Sequence, residues 1–345
     1  MDYEAFLSEW LDDSPTLTVH TSGSTGAPKP IRVEKRRMEA SARITCRFLG
    51  LQPGDAALLC LPLDYIAGKM MAVRARTCGL RLTVVQPSSH PLASDEAASP
   101  FDFAAMVPLQ VHCSLATDTE RQRLQAIRHL IIGGGPVSDS LASALRHFPN
   151  AVWSTYGMTE TLSHIALRRL SGPDASEWYT PFEGVRLELS AEGCLVVSAP
   201  AVHPGPLVTN DRALLRPDGT FRILGRRDNV VCSGGVKIQM EEVERLLQSH
   251  VRVPFIITKA PHGQLGEQVV MLVERAGAVG QPADTSRLQA VCQETLPRFW
   301  RPRYIIAVSR LPATATGKPA RAEALRMAAR LVEEKETTNH QQTKQ

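Results

Sequence analysis

Near the start of the chain runs Thr21-Ser22-Gly23-Ser24-Thr25-Gly26-Ala27-Pro28-Lys29-Pro30, and this stretch restricts the fold more than any other. Glycines let a backbone curl until its N–H groups converge, hydroxyls add donors, and a lysine adds a point charge. Those are the parts of a polyphosphate cradle. The prolines on either side of Lys29 disfavour a helix directly after the loop. A Walker loop needs Gly-Lys-Ser/Thr opening a helix, and a Rossmann turn feeds a helix N-terminus, so neither fits. Residues 16–21 alternate like a strand and residues 30–33 read as another, so the loop is predicted to join two strands. A flexible Gly/Ser linker would need no such setting.

Short apolar runs at 56–61, 81–86 and 129–132 read as buried strands, and 69–78 and 138–147 have helical spacing. That alternation predicts an α/β fold for the large N-terminal part. From Asp228 the pattern becomes a compact α+β unit. It has a helix at 241–248 with Val243, Leu246 and Leu247 on one face, strands at 254–258, 268–274 and 304–308, a helix at 286–295 and a last helix from Ala322. The predicted organisation is therefore a domain over 1–227, a smaller domain over 228–332 and a frayed polar tail over 333–345.

A length of 345 residues suits two domains. The net charge of +4 is spread along the chain, which argues against nucleic acid and suits small anionic ligands such as nucleotides or coenzyme A. The seven cysteines have no metal or redox spacing and read as reduced thiols. The acidic first 13 residues do not resemble a secretory signal, and no apolar run is long enough to span a bilayer. A cytoplasmic protein is the expectation.

The phosphate loop resembles that of the adenylate-forming superfamily, which holds acyl-CoA synthetases, peptide-synthetase adenylation domains and luciferases. Further matches follow in order: Ile132-Gly133-Gly134-Gly135-Pro136, Ser154-Thr155-Tyr156-Gly157-Met158-Thr159-Glu160, Thr209-Asn210-Asp211, Gly225-Arg226-Arg227-Asp228-Asn229 with Ser233-Gly234-Gly235, and Pro312-Ala313-Thr314-Ala315-Thr316-Gly317-Lys318. The family commonly has Gly in place of Asn210. Together these motifs span Thr21 to Lys318.

The resemblance implies a two-domain fold joined by a hinge, with ATP, Mg²⁺ and coenzyme A as the small molecules used. It implies that Thr21, Ser22, Gly23, Ser24, Thr25, Gly26 and Lys29 hold the β- and γ-phosphates. Gly134, Gly135 and Pro136 would flank adenine, with Tyr156 and Gly157 against it. Thr159 would bond the phosphates and Glu160 would hold Mg²⁺. Asp211 would accept the ribose hydroxyls, and Arg226 would reach ribose and α-phosphate. Lys318 would carry adenylation, Asp228 would be the hinge, and Gly234 and Gly235 would line the pantetheine channel. Read alone, Tyr156 fits a core tyrosine equally well, and Thr159-Glu160 fits the acidic first turn of a helix.

Within the superfamily the chain is most similar to the o-succinylbenzoate–CoA ligase family of menaquinone biosynthesis. The residues that carry this are 226–229, 233–235, Ile238-Gln239 and Glu241-Glu242-Val243-Glu244, with looser matches at 62–68 and 106–108. Such an acid keeps a second carboxylate after activation, and a buried carboxylate needs a cation or several donors. Lys69, Arg74 and His164 fall where such partners could sit. The alternative is an amphipathic helix carrying exposed bases. A ligase for another aryl or acyl acid, one loading a carrier protein, and a non-catalytic nucleotide binder all remain open. Most members of the superfamily have a longer stretch before the phosphate loop, so the acyl pocket and the dimer surface are expected to differ here. Asp64-Tyr65 stands where many members carry an aromatic-His pair. Members are often dimers, which leaves a homodimer open.

Overall fold

The structure is a computed structural model that describes residues 1–20, 30–275, 284–313 and 319–342. The phosphate loop of residues 21–29 and Lys318 lie outside the described residues. Two compact units emerge. One holds the described residues up to Thr209 together with Leu214–Arg222; the other holds Asn210–Ala213 and the chain from Ile223 onward.

The first unit opens with α1 (Tyr3–Leu11), whose N-terminus is capped by the Asp2 carboxylate accepting from Ala5 N at 2.8 Å. Strands β1 (Thr16–His20) and β2 (Pro30–Glu34) pair antiparallel on either side of the phosphate loop, as the bracketing prolines predict. Next comes α2 (Lys35–Leu49). Its buried stripe is Met38, Ser41, Ala42, Thr45, Cys46 and Leu49, the spacing of one helical face, and it stops at Gly50 in the left-handed region.

An alternating run follows: β3 (Ala56–Leu59), α3 (Ile66–Cys78), β4 (Arg81–Val84), β5 (Phe103–Met106), α4 (Pro108–Leu115), α5 (Asp118–Gln125), β6 (His129–Ile132), α6 (Asp139–Leu145), β7 (Ala151–Gly157), β8 (His164–Arg169) and β9 (Thr180–Pro181). These strands form one sheet in the order β4-β3-β5-β6-β7-β8-β9. Neighbours from β4 to β7 are parallel; β8 and β9 are antiparallel additions. Every residue of β5 is buried, as expected for a parallel strand covered on both faces. Strand order reverses at β3, where open α/β sheets place ligands beyond the carboxyl ends of their strands. Strands β10 (Arg186–Leu189), β11 (Cys194–Ser198), β12 (Leu207–Leu215) and β13 (Phe221–Arg226) make a second sheet in sequence order. The boundary between the units falls within β12 and β13.

The second unit continues with β14 (Val230–Ser233), β15 (Val236–Gln239), α7 (Met240–Gln248), β16 (Phe255–His262), β17 (Gly266–Glu274), α8 (Thr285–Thr295), β18 (Tyr304–Val308) and α9 (Arg321–Gln342). Strand β17 pairs with β16 and, on its other side, with β14 and β18. Its continuous apolar run is explained by two separate cores. Val269, Met271 and Val273 pack with Val243 and Leu247 of α7 and Leu288 of α8, while Val270 and Leu272 pack with Ala324 and Ala328 of α9. Arg321 at the start of α9 grips both oxygens of Glu244 on α7, at 2.7 and 2.6 Å.

One expectation fails here. The polar tail predicted to fray from Glu333 continues the helix as far as Gln342. Glu333, Glu334, Lys335 and Glu336 are strong helix formers, so the helix needs no apolar stripe to persist through them.

Candidate active site

The sheet of the first unit brings two of the motifs side by side. Strands β6 and β7 are parallel neighbours with Ile132 opposite Ser154, so Gly133–Pro136 and Tyr156–Glu160 leave the same end of the sheet. Tyr156 is 9% exposed, with its ring against Phe221 at 5.2 Å and Tyr179 at 6.0 Å. It is therefore an aromatic core residue at a strand end. After it the chain makes a 3-10 turn over Thr159–Thr161, burying Thr159 and leaving the Glu160 carboxylate exposed. Among the described residues, no group of three or more His, Cys, Asp or Glu is arranged to hold a metal ion. A lone exposed carboxylate of this kind fits Mg²⁺, which takes one or two carboxylates and completes its shell with water and substrate phosphate.

Directly after the turn, Leu162 adopts φ 65°, the only positive φ outside glycine among the described residues. Such a conformation costs about 1–3 kcal/mol and persists only where its surroundings over-determine it. Here Leu162 is buried and the turn is pinned by Thr161 Oγ1, which donates to Ser163 O at 2.7 Å and receives Met158 N at 3.1 Å. Gly157 must be glycine. A Cβ there would lie 2.3 Å from Ser163 O and 2.4 Å from His164 Cα.

That tight turn delivers Ser163 and His164 to α2 and α3. Arg74 on α3 is 2% exposed and His164 7%, so the alternative of exposed bases on an amphipathic helix does not hold. Arg74 Nη2 donates to Ser163 Oγ at 2.5 Å, Ser163 Oγ contacts His164 Nδ1 at 3.2 Å, and His164 Nε2 contacts Thr45 Oγ1 of α2 at 3.1 Å. Arg74 Nε is buried with no hydrogen-bond partner. Burial pushes Arg74 down to about 10, so it stays cationic near neutrality. Burial, with the Arg74 charge beside it, holds His164 well below its ordinary range, so the imidazole is neutral there. Lys69 is not part of this group. It is equally buried, but it pairs with Glu9 of α1 at 3.1 Å and lies over the Phe6 ring, so its charge is already answered within the chain. A small hollow of about 90 Å³ behind His164, lined by Ile44, Phe182 and Val202 among others, has room for about three waters rather than an aryl acid.

In the second unit, Asp211 Oδ1 lies 4.0 Å from Arg226 Nε. Asp228 occupies the middle of a 3-10 turn over Arg227–Asn229 and accepts from Asn210 Nδ2 at 3.3 Å. Gln239 and Glu241 hold this turn. Gln239 Nε2 donates to Arg226 O at 2.7 Å, and Glu241 Oε1 accepts from Arg226 N at 3.3 Å and Asn229 Nδ2 at 2.5 Å. Gly234 and Gly235 form the two-residue turn between β14 and β15, with φ of 55° and 84°. Positive φ at both positions is what such a two-residue hairpin turn needs, and glycine supplies it without strain, so the hairpin alone accounts for the pair.

The profile of the AMP-binding enzyme family matches residues 7–198, more than half of the chain. The chain belongs to the AMP-binding enzyme family. Among curated members it is 28% identical to the 2-succinylbenzoate–CoA ligase of Geobacillus kaustophilus, over 94% of this chain and 72% of that one. Among solved structures, an acyl-CoA synthetase (AMP-forming)/AMP-acid ligase II-like protein from Dyadobacter fermentans is 36% identical with a TM-score of 0.62, covering 91% of this chain and 90% of that one. The o-succinylbenzoate CoA synthetase of Bacillus subtilis, solved with its acyl-adenylate intermediate, has a TM-score of 0.75 at 23% identity, over 89% of this chain and 68% of that one. That last likeness is one of fold.

Several residues of this AMP-binding enzyme escape sequence reasoning. Gln239 and Glu241 were visible only as points of resemblance, and Ser163 and Thr45 not at all. A signal existed for Thr45: it and Ser41 are polar residues inside the apolar stripe of α2, where a side-chain partner has to be found.

Proposed function

We propose that this AMP-binding enzyme is an ATP-dependent carboxylate–CoA ligase whose acid is o-succinylbenzoate, giving o-succinylbenzoyl-CoA, AMP and pyrophosphate in menaquinone biosynthesis. The observation that carries the choice of acid is Arg74, a buried cation with an unpaired Nε, joined to the turn that follows Thr159-Glu160. A dicarboxylic acid brings one carboxylate to the phosphate and needs a buried positive group for the other. The curated relatives named 2-succinylbenzoate–CoA ligase support the same acid.

A carboxylate is a poor acyl donor because its charge is delocalised. Attack of its oxygen on the α-phosphate of ATP expels pyrophosphate and leaves an acyl-adenylate, which a thiol then opens with release of AMP. The transition state gathers negative charge, so the protein's task is positioning and neutralisation. In this reading Thr21–Gly26 and Lys29 hold the β- and γ-phosphates. Gly134, Gly135, Pro136, Tyr156 and Gly157 border the adenine, Thr159 bonds phosphate, and Asp211 and Arg226 take the ribose. Bound Mg²⁺ would neutralise phosphate charge, and Glu160 would hold it. Lys318 bridges the incoming carboxylate and the α-phosphate. Asp228 is the hinge between half-reactions, and Gly234-Gly235 border the pantetheine arm. Arg74 takes the second carboxylate. We place the enzyme in the cytoplasm, acting on small molecules rather than nucleic acid, with a homodimer the assembly to test by sedimentation.

The test is ATP–pyrophosphate exchange across a panel of acids, followed by AMP release with coenzyme A. o-Succinylbenzoate should drive exchange best, and AMP should form only when acid and coenzyme A are both present. Equal exchange with benzoate and fatty acids would overturn the choice of acid; release of ADP and phosphate would overturn the chemistry.

A further inference from the structure

The polar cluster around His164 contains more directional information than its distances alone. Thr45 Oγ1 donates its single proton to Ser41 O at 3.1 Å within α2. With its proton on that carbonyl, the hydroxyl meets His164 Nε2 as an acceptor, the arrangement in which Nε2 carries the hydrogen. On the other side of the ring, Ser163 Oγ accepts from Arg74 Nη2 and has its own proton free for His164 Nδ1, which is the bare nitrogen of that same tautomer. The hydrogen bonds therefore run in two chains that end on one ring: Arg74 to Ser163 to His164 Nδ1, and His164 Nε2 to Thr45 to the Ser41 carbonyl.

We propose that Thr45 and Ser163 are positioning residues that lock His164 as a neutral Nε2–H imidazole, leaving Arg74 as the one positive charge of the acid subsite and orienting its free Nε toward a second carboxylate. A protonated His164 would bring a second positive group, the imidazolium, up to the Ser163 hydroxyl that already faces the Arg74 guanidinium, and like charges so close disfavour it. The other tautomer would set a bare Nε2 against a Thr45 oxygen whose proton is already given to Ser41, two acceptors with no hydrogen between them. It would also turn Nδ1–H toward a Ser163 hydroxyl that has a proton of its own to place. Arg74 is thus held at one point through Nη2, while Nη1 meets only the Met71 sulfur at 3.9 Å. Selection of an acid with a second carboxylate then depends on α2 as well as on α3, although Thr45 itself meets no substrate. The link to the acid rests on the proposed function; the tautomer does not.

Nitrogen-15 NMR of the full-length enzyme labelled in its ten histidines, with His164→Gln identifying the signal, reads the tautomer directly. The expected wild-type spectrum has His164 protonated on Nε2 alone. Thr45→Val should abolish that single-tautomer signature and raise KM for o-succinylbenzoate about tenfold with KM for ATP unchanged, and Thr45→Ser should restore both. A wild-type His164 protonated on Nδ1 or on both nitrogens would overturn the lock. A changed tautomer in Thr45→Val with unchanged acid KM would overturn the positioning role. Should another acid replace o-succinylbenzoate in pyrophosphate exchange, the substrate reading fails while the tautomer result stands, and KM is measured for that acid.

Discussion

At the residue scale the decisive group is a cation placed where water does not reach it. Replacing Arg74 by Leu should raise KM for the acid about a hundredfold, in line with the loss of one partner from a buried charge pair, while KM for ATP stays put. Steady-state kinetics on the two substrates separates these. The same neighbourhood holds a thiol shifted toward ionisation. A hydrogen bond from Cys46 brings Cys78 down to about 7 against its partial burial, with Arg43 and Arg74 assisting. Cys78 should therefore react slowly with iodoacetamide below pH 7 and quickly above it, as the thiolate forms. Cys46→Ala should move that midpoint upward, read by mass spectrometry of the labelled peptide. The sequence shows Arg74 and His164 as isolated charged residues, and isolated charges usually face water. Only the fold makes them a pair, because the bond between them passes through Ser163, a residue no motif singles out.

Elements were legible where a period or a special residue states the answer. Strands β6 and β18 begin and end where the apolar runs do. The buried stripe of α7 contains the predicted Val243 and Leu247. Less legible was the turn between β7 and β8. Its outcome depends on a leucine held at positive φ and on the contact of Gly157 with backbone six and seven residues on, and neither leaves a periodic trace. The turn carries its own prediction. Gly157→Ala would press a methyl group into carbonyl and Cα atoms that cannot move aside, and should lower stability by about 2–3 kcal/mol. Urea titration measures that loss, and pyrophosphate exchange should fall with it. The continuation of α9 through Glu333 illustrates the opposite error: a charged segment without an apolar face was read as a tail, although its residues favour helix by themselves.

For the molecule as a whole, the family was written in short contiguous motifs spread from Thr21 to Lys318, and contiguous motifs survive in a sequence read by eye. The proposed acid subsite draws on α2, α3 and the start of β8, so its parts lie far apart in the chain and are legible only as composition. Lys318 supplies the test at this scale. Lys318→Ala should abolish adenylate formation, by a factor of about a thousand or more as expected for a positioned charge in the transition state, and spare thiol transfer to a supplied acyl-adenylate. Rapid-quench assays of each half-reaction distinguish this from loss of both.

The ribbon made by β7 and β8 has a wider consequence. Glu160 and Ser163 stand three residues apart on one tightly pinned turn, so under the proposed roles whatever reshapes that turn disturbs nucleotide and acid together. Engineers hoping to retune this ligase for a new carboxylic acid, and lineages drifting toward one, would therefore find the freer ground on the helices opposite, at positions such as Thr45 and Arg74.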